Sequence, residues 1–433
     1  MSLETIGFLV IGAMFILMFL RIPIAIAMAV PSIIAIYFLR GERAIFGAIE
    51  SILWTHSANY NLITIPMFIL MGQLIFYSGI GEELFSMFRK LFGKIRGGMA
   101  ISSIGASAMF AATSGSSLAT TGTMGVMATK QMLNAGYSRS LTGGAIAAGG
   151  TLGILIPPSN IFIIYGMLTE QSIGHLLMAG VIPGIILTLL FMLTIKIVIA
   201  LNPGMAPEGV SYSLKEKLSS LRPTLWTIAL FALVIGGMYF GLFTPTEASG
   251  VGAVGAFLIA LIRKKLTLVK LKDTLAETLK TTGFIFTIVI GAFFLSFVVS
   301  ITRLPLILEG FFADLSLPPF AIFACIILMY VVLGMVLDTM AMIVVTIPIV
   351  LQIIQMLGFD LIWFGVIIVL VVEMAMITPP VGMNCFVLNS VVPELNLKEI
   401  FKGALLFVVP ILVLIVLLFF FPEIALFLPQ TMK

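Results

Sequence analysis

Two adjacent prolines interrupt an apolar stretch that is long enough to cross a bilayer. They are Pro157 and Pro158, and they lie in the middle of residues 153–165. A proline cannot donate a backbone hydrogen bond and its ring clashes with the preceding turn, so a helix must break there and leave carbonyl groups free. Broken backbone at membrane depth is tolerated only where it is buried in protein or lines a cavity. A second proline pair, in residues 377–384, predicts a second broken helix.

The composition places the whole chain in a membrane. Of its 433 residues, 61% are hydrophobic and 10% are charged, and the mean hydropathy is +1.22. These values exclude a soluble globular domain and predict a polytopic all-α membrane protein. Cys325 and Cys385 both lie in apolar runs, so neither a disulfide framework nor a metal cluster is expected. The first twenty residues lack a basic segment and a cleavage site, and we interpret them as a retained first span.

Hydropathy predicts the same order of elements twice along the chain. The first half, residues 1–201, is predicted to contain spans at 4–20, 22–39, 60–79 and 176–200, a helical pair at 98–129 and a broken span at 140–168. Residues 202–222 are rich in Pro, Gly and charge, which is typical of an exposed, here cytoplasmic, linker. The second half, residues 223–433, is predicted to contain spans at 224–242, 245–262, 282–302 and 403–421, a helical pair at 318–355 and a broken span at 361–392.

The two halves can be aligned without a gap. An offset of 222 residues places Pro157 on Pro379 and Pro23 on Pro245. The same offset places residues 116–117 on residues 338–339. Agreement of segment order with three separate landmarks predicts an internal two-copy repeat.

Crossing number and charge predict the orientation of the repeats. If both helical pairs are re-entrant hairpins, each half crosses the membrane five times, and the second half is inverted relative to the first. Eighteen Lys and Arg residues then fall on one face and four on the other. Because cytoplasmic loops collect basic residues, this bias supports the hairpins and predicts that both termini are periplasmic. Hairpin one would open from the cytoplasm and hairpin two from the periplasm.

Two further stretches, 82–96 and 263–280, mix apolar residues at helical spacing with basic ones. We expect helices that lie in the membrane interface. Each is either a hinge arm that joins a mobile domain to a fixed one or an anchor on the lipid surface.

The hairpins and the second broken helix contain the residues that chemistry would need. Residues 113–123 of hairpin one are dominated by hydroxyls and glycines, which serve either close helix packing or a binding site, and their place at a hairpin tip favours a site. Asp338 in hairpin two is an acid deep in an apolar run, and it is a ligand, a helix cap or both. Glu373 is a cation ligand, a proton carrier or a structural hydrogen-bond acceptor, and we place the structural role first.

The predicted ligands are all oxygen atoms. They are the carbonyls freed at Pro157 and Pro379, one carboxylate, and the hydroxyls of Ser114, Ser116, Thr339 and Thr378. This hard ligand set fits sodium, and its few negative charges argue against calcium. Half-helix N-termini at the breaks would direct positive dipole ends at an anionic substrate between the two copies.

Four motifs in order resemble the large membrane subunit of tripartite ATP-independent periplasmic (TRAP) transporters. They are residues 63–72, 114–117, 153–160 and 378–384, and the resemblance covers essentially the whole chain. Ala375 departs from the family pattern, which often has Gly there. The resemblance implies a sodium-driven elevator-type secondary transporter of the bacterial inner membrane, in which a transport domain slides against a scaffold. It also implies a small four-helix membrane subunit, here expected as a separate chain, and a periplasmic substrate-binding protein that delivers an organic acid anion.

Together these considerations give a set of site predictions. We assign the first sodium site to Ser114, Gly115, Ser116, Thr151, Gly153 and Pro157. We assign the second sodium site to Gly334, Asp338, Thr339, Thr378, Pro379 and Met383. We assign the substrate to Ser116, Ser117, Ser159, Asn160, Asp338, Gly382 and Asn384. Apart from sodium as the coupling ion, no metal or cofactor is expected, nor is a nucleic-acid partner.

Other functions are either kept as alternatives or rejected. A proton-coupled or exporting anion transporter of the same architecture remains the alternative. An intramembrane enzyme with Ser116 as nucleophile would need a general base, yet the sequence has no Gly-x-Ser-x-Gly or His-Glu-x-x-His motif. The sequence also lacks a phosphate-binding Gly-x-x-x-x-Gly-Lys loop, so ATP hydrolysis is not expected.

Overall fold

A computed structural model describes residues 2–57, 59–307, 310, 318–334 and 337–432. The α-helices of the first half with both ends in this part are α1 (Leu3–Phe19), α2 (Ile24–Arg40), α3 (Glu42–Ser57), α4 (Thr64–Tyr77), α5 (Ile80–Phe92), α6 (Gly98–Ser114), α7 (Ser117–Asn134), α8 (Arg139–Leu155), α9 (Asn160–Thr169) and α10 (Ile173–Leu201). Those of the second half are α11 (Leu214–Tyr239), α12 (Pro245–Ile262), α13 (Leu268–Ile301), α14 (Pro319–Gly334), α15 (Thr339–Met356), α16 (Leu361–Ala375), α17 (Met383–Val391), α18 (Leu397–Ala404), α19 (Val408–Phe420) and α20 (Glu423–Thr431).

Several of these helices are long enough to cross a membrane. Seven helical segments of the described residues have the required length and hydropathy, and the bent pair α8–α9 makes an eighth if it counts as one span. Many apolar side chains on the outside are exposed, for example Phe38 at 76% and Leu201 at 75%. An apolar exterior of this kind suits lipid and not water. The chain is therefore a multi-span membrane protein, as the composition predicts.

The predicted breaks and hairpins correspond to real changes of chain direction. Helices α8 and α9 meet at 41° across Pro157–Pro158, and this peptide bond is cis, as is Pro379–Pro380. Helices α6 and α7 form hairpin one, with two residues between them. Helices α14 and α15 form the arms of hairpin two, where Met335 and Val336 of the predicted tip lie outside the described residues.

Helix bounds and caps recur at the predicted offset. Adding 222 to the bounds of α7, Ser117–Asn134, gives those of α15, Thr339–Met356. The N-cap of α7 is Ser116 and that of α15 is Asp338, and each accepts a hydrogen bond from a backbone N–H three residues on. Side chains of this type stabilise a helix start because they satisfy a donor that has no partner within the helix. A capping side chain thus begins the second arm of each hairpin, and the two arms begin at matching positions of the two halves.

Some elements differ from the sequence-based expectations. The predicted linker ends early, because Ser213 and Glu216 form a capping box that starts α11 at Leu214. The stretch 263–280 is no separate interfacial helix, because α13 starts after the N-cap Thr267 and continues to Ile301. Helices α3 and α20 were not predicted at all, since residues 42–57 are amphipathic and residues 423–431 follow a proline. The other stretch, 82–96, is helical as α5 up to Phe92, and its place in the membrane interface stays a prediction.

Helix α5 is tied to its neighbours by polar contacts. Arg263, at the end of α12, donates to the Glu83 carboxylate, and the two side chains are only 14% and 28% exposed. Arg89 donates to the Gln131 amide oxygen on α7 over 2.7 Å. Helix α5 therefore connects hairpin one to the α12–α13 corner.

Loss of the Glu83 carboxylate should weaken this connection. We expect Glu83→Ala to lower the free energy of unfolding by about 2 kcal/mol, because Arg263 is left half-buried without its partner. This cost lies between those of losing an exposed and a buried ion pair. Thermal unfolding in detergent measures this change in stability. The double variant that exchanges the two charges, Glu83→Arg with Arg263→Glu, should recover part of the lost stability. Glu277→Ala, which removes the exposed pair with Lys280, is the control and should leave the free energy of unfolding nearly unchanged. Equal effects for the two single variants would contradict the assignment.

Candidate functional site

The tip of hairpin one is a tight turn between two helices. Gly115 ends α6 in the left-handed region with φ +59°, and its N–H donates to the Ala111 carbonyl over 3.0 Å. Ser116 then begins α7 as its N-cap and accepts from the Ala119 N–H over 3.3 Å. A left-handed glycine followed by a capping serine reverses the chain in two residues.

Hydroxyl groups are concentrated at this tip. Thr120 donates its hydroxyl to the Ser116 carbonyl over 2.8 Å, so Ser114 supplies the hydrogen of its 2.9 Å bond to Thr120. The Ser114 oxygen accepts from the Ser116 N–H over 3.5 Å and keeps one more lone pair that can accept or coordinate. Ser114, one of the predicted first-site residues, is thus oriented with its oxygen available.

The first broken helix lies directly against this tip. A Cβ placed on Gly115 would stand 2.7 Å from the Pro158 carbonyl oxygen. One placed on Gly153 would stand 2.6 Å from the Ser116 carbonyl oxygen and 2.7 Å from the Ser117 nitrogen. The structure therefore brings the tip, Gly153 and the proline pair together, as the sequence predicts. Thr151 lies nearby on α8, and its hydroxyl donates to the Ala148 carbonyl of its own helix over 2.7 Å.

A cavity of about 560 Å³ begins at the tip of hairpin one. Its polar lining residues are Gln73, Ser114, Ser116, Thr123, Asn160 and Thr281. The cavity follows α7 from Ser116 to Met127, on the order of 15 Å along the helix. It reaches the level of Phe76 at the end of α4, next to the start of α5. Helices α4 and α13 form the wall that faces the hairpin.

Asp338, which precedes the second arm of hairpin two, faces a different cavity. Asp338 caps α15 by accepting from the Ala341 N–H over 3.1 Å. It also lines an apolar cavity of about 430 Å³ between the hairpin and the α1–α2 corner, together with Phe15, Met18, Phe19, Ile22, Ile24, Val332, Leu333, Leu337 and Ala341. Both predicted roles of Asp338 remain open, since the cap uses one carboxylate oxygen. Thr339, the next residue, has a buried hydroxyl without a hydrogen-bond partner in the described residues.

The second break is organised by a side-chain hydrogen bond and a left-handed glycine. Helix α16 ends at Ala375, the Thr378 hydroxyl donates to the Met374 carbonyl over 2.6 Å, and Gly382 adopts φ +56° before α17 starts at Met383. Gly334 closely approaches Ala375, since a Cβ on Gly334 would stand 2.3 Å from that of Ala375. The end of α14 therefore meets Ala375 at the end of α16. Among the second-site residues, Gly334, Asp338 and Thr339 lie at the facing ends of the hairpin arms. Thr378, Pro379 and Met383 lie at the break, where Pro379 is half-buried.

The predicted substrate residues do not share one cavity. Ser116 and Asn160 line the larger cavity, whereas Asp338 lines the apolar one. The other four residues make contacts within the protein, and these are Ser117 with Glu373, Ser159 with the Phe162 N–H, Asn384 with the Ala147 carbonyl and Gly382 with the Phe401 ring. Their assignment to the substrate stays a prediction.

Sequence reasoning missed the wall of the cavity opposite the hairpin. Gln73 is a polar residue in the middle of the apolar helix α4, and that isolated amide was the available signal. Gly72 beside it allows α4 to approach the tip, since a Cβ there would stand 2.6 Å from the Thr113 carbonyl oxygen. Thr281 comes from α13, which is distant in sequence, and nothing in its local pattern marked it. Among the described residues, no group of three or more His, Cys, Asp or Glu side chains forms a metal site.

Comparison with known proteins identifies the family. The profile of the "tripartite ATP-independent periplasmic transporter, DctM component" matches residues 11–424. The C4-dicarboxylate TRAP transporter large permease protein DctM of Pseudomonas aeruginosa is 35% identical, over 87% of this chain and 88% of the relative. The sialic acid TRAP transporter permease protein SiaT of Haemophilus influenzae is 32% identical, over 96% of this chain and 67% of the relative. These relatives are transporter permeases and not enzymes.

The fold itself has a solved counterpart. The YdaH transporter of Alcanivorax borkumensis superposes with a TM-score of 0.64 over 90% of each chain, at 13% sequence identity. At that identity the likeness concerns the fold alone. The profile match over nearly the whole length and the permease relatives agree with the motifs at the hairpin tip and the breaks, and the chain belongs to the DctM family, the large permease component of tripartite ATP-independent periplasmic transporters.

Proposed function

We propose that this chain imports an organic acid anion with sodium as the coupling ion, after a periplasmic substrate-binding protein has delivered the anion. The observation that carries the proposal is the hydroxyl-rich tip of hairpin one, packed on broken backbone at the inner end of a cavity. The named substrates of two relatives, C4-dicarboxylates and sialic acid, are both organic acids. A small four-helix membrane subunit completes the assembly.

The charge of the cavity explains why sodium and an anion would bind together. No Lys or Arg is among the residues that line the cavity, so a bound carboxylate finds no cationic side chain there. The N-termini of α7 and α9, capped by Ser116 and Ser159, supply partial positive charge at the break. Sodium ions at the tip would supply the rest of the positive charge that the bound anion needs. The affinity for the anion therefore depends on sodium.

The proposed mechanism is an elevator with two inverted repeats, residues 1–201 and 223–433. Both hairpins and both broken helices would form the transport domain, and α4 and α13 belong to the scaffold wall. The larger cavity reaches the end of α4 beside α5, which is followed by the basic residues Lys94 and Arg96, and basic loops face the cytoplasm. The conformation is thus inward-facing in this proposal, both termini are periplasmic, and the apolar cavity beside Asp338 lies on the closed side.

Uptake into proteoliposomes tests the coupling. The chain is reconstituted with its small subunit and its binding protein, and uptake of a panel of organic acids is measured with a sodium gradient, a pH gradient or neither. Uptake that follows the pH gradient and ignores sodium would overturn sodium coupling and favour the proton-coupled alternative.

Two site variants make the test specific. We expect Ser116→Ala and Asp338→Asn each to raise the half-saturating sodium concentration about tenfold, which corresponds to roughly one lost oxygen contact of 1.4 kcal/mol. Ser219→Ala, which removes an exposed hydroxyl on α11, is the matched control and should leave sodium dependence unchanged. If both site variants behave like this control, the assignment of the tips is wrong although sodium coupling itself could stand.

A further inference from the structure

Glu373 is a completely buried acid that neither proposed hairpin-tip site uses. It lies on α16 with 0% exposure, and its Oε1 accepts a hydrogen bond from the Ser117 hydroxyl of hairpin one. Its second oxygen, Oε2, has no hydrogen-bond partner among the described residues. A buried carboxylate with one neutral donor is costly unless a positive charge compensates it.

Two further oxygen atoms, on α7 and α17, are buried without partners among the described residues. They are the hydroxyl oxygen of Thr121 on α7 and the amide oxygen of Asn384 on α17. The Asn384 amide nitrogen donates to the Ala147 carbonyl over 3.3 Å, which leaves its oxygen as a free acceptor. That nitrogen and the Thr121 hydroxyl oxygen both lie within 3.2 Å of the position that a Cβ on Gly150 would occupy.

Helix spacing and one backbone hydrogen bond relate these atoms to Glu373. Thr121 lies one turn after Ser117 on the same face of α7. The Asn384 backbone N–H donates to the carbonyl of Met376, which is three residues after Glu373. The cluster of Thr121, Glu373 and Asn384 therefore offers three free oxygen atoms and one negative charge, with no Lys or Arg paired to it in the described part of the chain.

We propose that Thr121, Glu373 and Asn384 bind a sodium ion of their own, behind the tip of hairpin one and in addition to the two tip sites. An oxygen-only donor set with a single carboxylate suits a monovalent hard cation. The offset of 222 aligns Glu373 with Thr151, which carries no charge, so the first half has no equivalent of this cluster. The ion connects hairpin one to the second broken helix. The choice of sodium rests on the proposed sodium coupling.

Sodium binding to the full chain with its small subunit in lipid nanodiscs tests the cluster. Equilibrium binding of radioactive sodium counts the ions for each protein at saturation. We expect Glu373→Gln, which keeps an acceptor for Ser117 but removes the charge, to bind one sodium ion fewer than the unchanged protein. Thr121→Val is expected to weaken the binding of one class of sodium ions at least tenfold. Thr129→Val is the matched control, since Thr129 is also buried on α7 without a hydroxyl partner but lies two turns away.

The outcomes separate this inference from the proposed function. Full ion counts in both Glu373→Gln and Thr121→Val would overturn the cluster as a sodium site and leave the tip sites in place. If the unchanged protein binds no sodium, the proposed coupling fails and the cluster fails with it. Should Glu373→Gln fold poorly, the comparison of Thr121→Val with Thr129→Val decides alone, and identical binding by these two would also overturn the inference.

Discussion

Gly115→Ala is expected to reduce sodium-dependent uptake more than tenfold. Gly115 adopts φ +59°, a conformation that costs an alanine roughly 1–2 kcal/mol. The added Cβ would also stand 2.7 Å from the Pro158 carbonyl oxygen, and that backbone cannot turn away as a side chain can. The tip must therefore move off the break, and the oxygen atoms of Ser114 and Ser116 lose their shared position.

A second left-handed glycine separates the two causes. Gly136 has φ +87° and no atom within 4 Å of its potential Cβ. Gly136→Ala is expected to lower the free energy of unfolding by about 1 kcal/mol and to leave uptake nearly unchanged. Uptake assays and thermal unfolding of both variants make the comparison. If the two variants lose uptake equally, backbone strain explains the effect and contact with the break does not.

The breaks and hairpin tips could be predicted because their causes are local. The adjacent prolines at 157–158 and 379–380 each remove two successive backbone donors, whereas single prolines such as Pro183 and Pro348 lie inside continuous helices. A Gly-Ser sequence at positions 115–116 supplies both a left-handed residue and a cap. The same reasoning predicted that the tip near Ser116 meets the first proline pair. That contact follows from the order of elements along one half of the chain.

Other features depend on contacts between distant segments and could not be predicted. The hydrogen bond between Ser117 and Glu373 joins residues 256 positions apart, and the sequence around neither residue indicates this contact. Thr281 reaches the cavity because α13 packs beside α4, and the hydropathy of α13 is the same whether it does so or not. The continuity of α13 was missed for a related reason, since charged residues at 270–280 suggested an interface although nothing there breaks a helix.

The sequence also could not show that the predicted substrate residues lie in two different cavities. Ser116 and Asn160 face the larger cavity because the tip and the start of α9 meet at the break. Asp338 faces apolar side chains of α1 and α2, which lie more than 300 residues away in sequence. In an alternating mechanism only one tip faces water at a time, so a single conformation is expected to separate these residues.

Gly153→Ala is expected to damage the first site through helix packing. Its Cβ would stand 2.6–2.7 Å from backbone atoms of Ser116 and Ser117, so α8 must retreat from the start of α7. Such overpacking costs about 1–3 kcal/mol, more than the helix propensity that alanine gains over glycine. We expect lower thermal stability and a half-saturating sodium concentration at least tenfold higher.

Gly250→Ala on α12 makes the same change where space is free. Outside its own helix backbone, no atom of the described residues lies within 4 Å of its potential Cβ, so alanine should stabilise the helix by up to about 1 kcal/mol and leave sodium dependence intact. Opposite signs for the two stability changes would locate the requirement for glycine at the contact between α8 and the hairpin tip. If Gly153→Ala keeps normal sodium dependence, the first ion does not lie between these helices, because their separation would then be irrelevant to it.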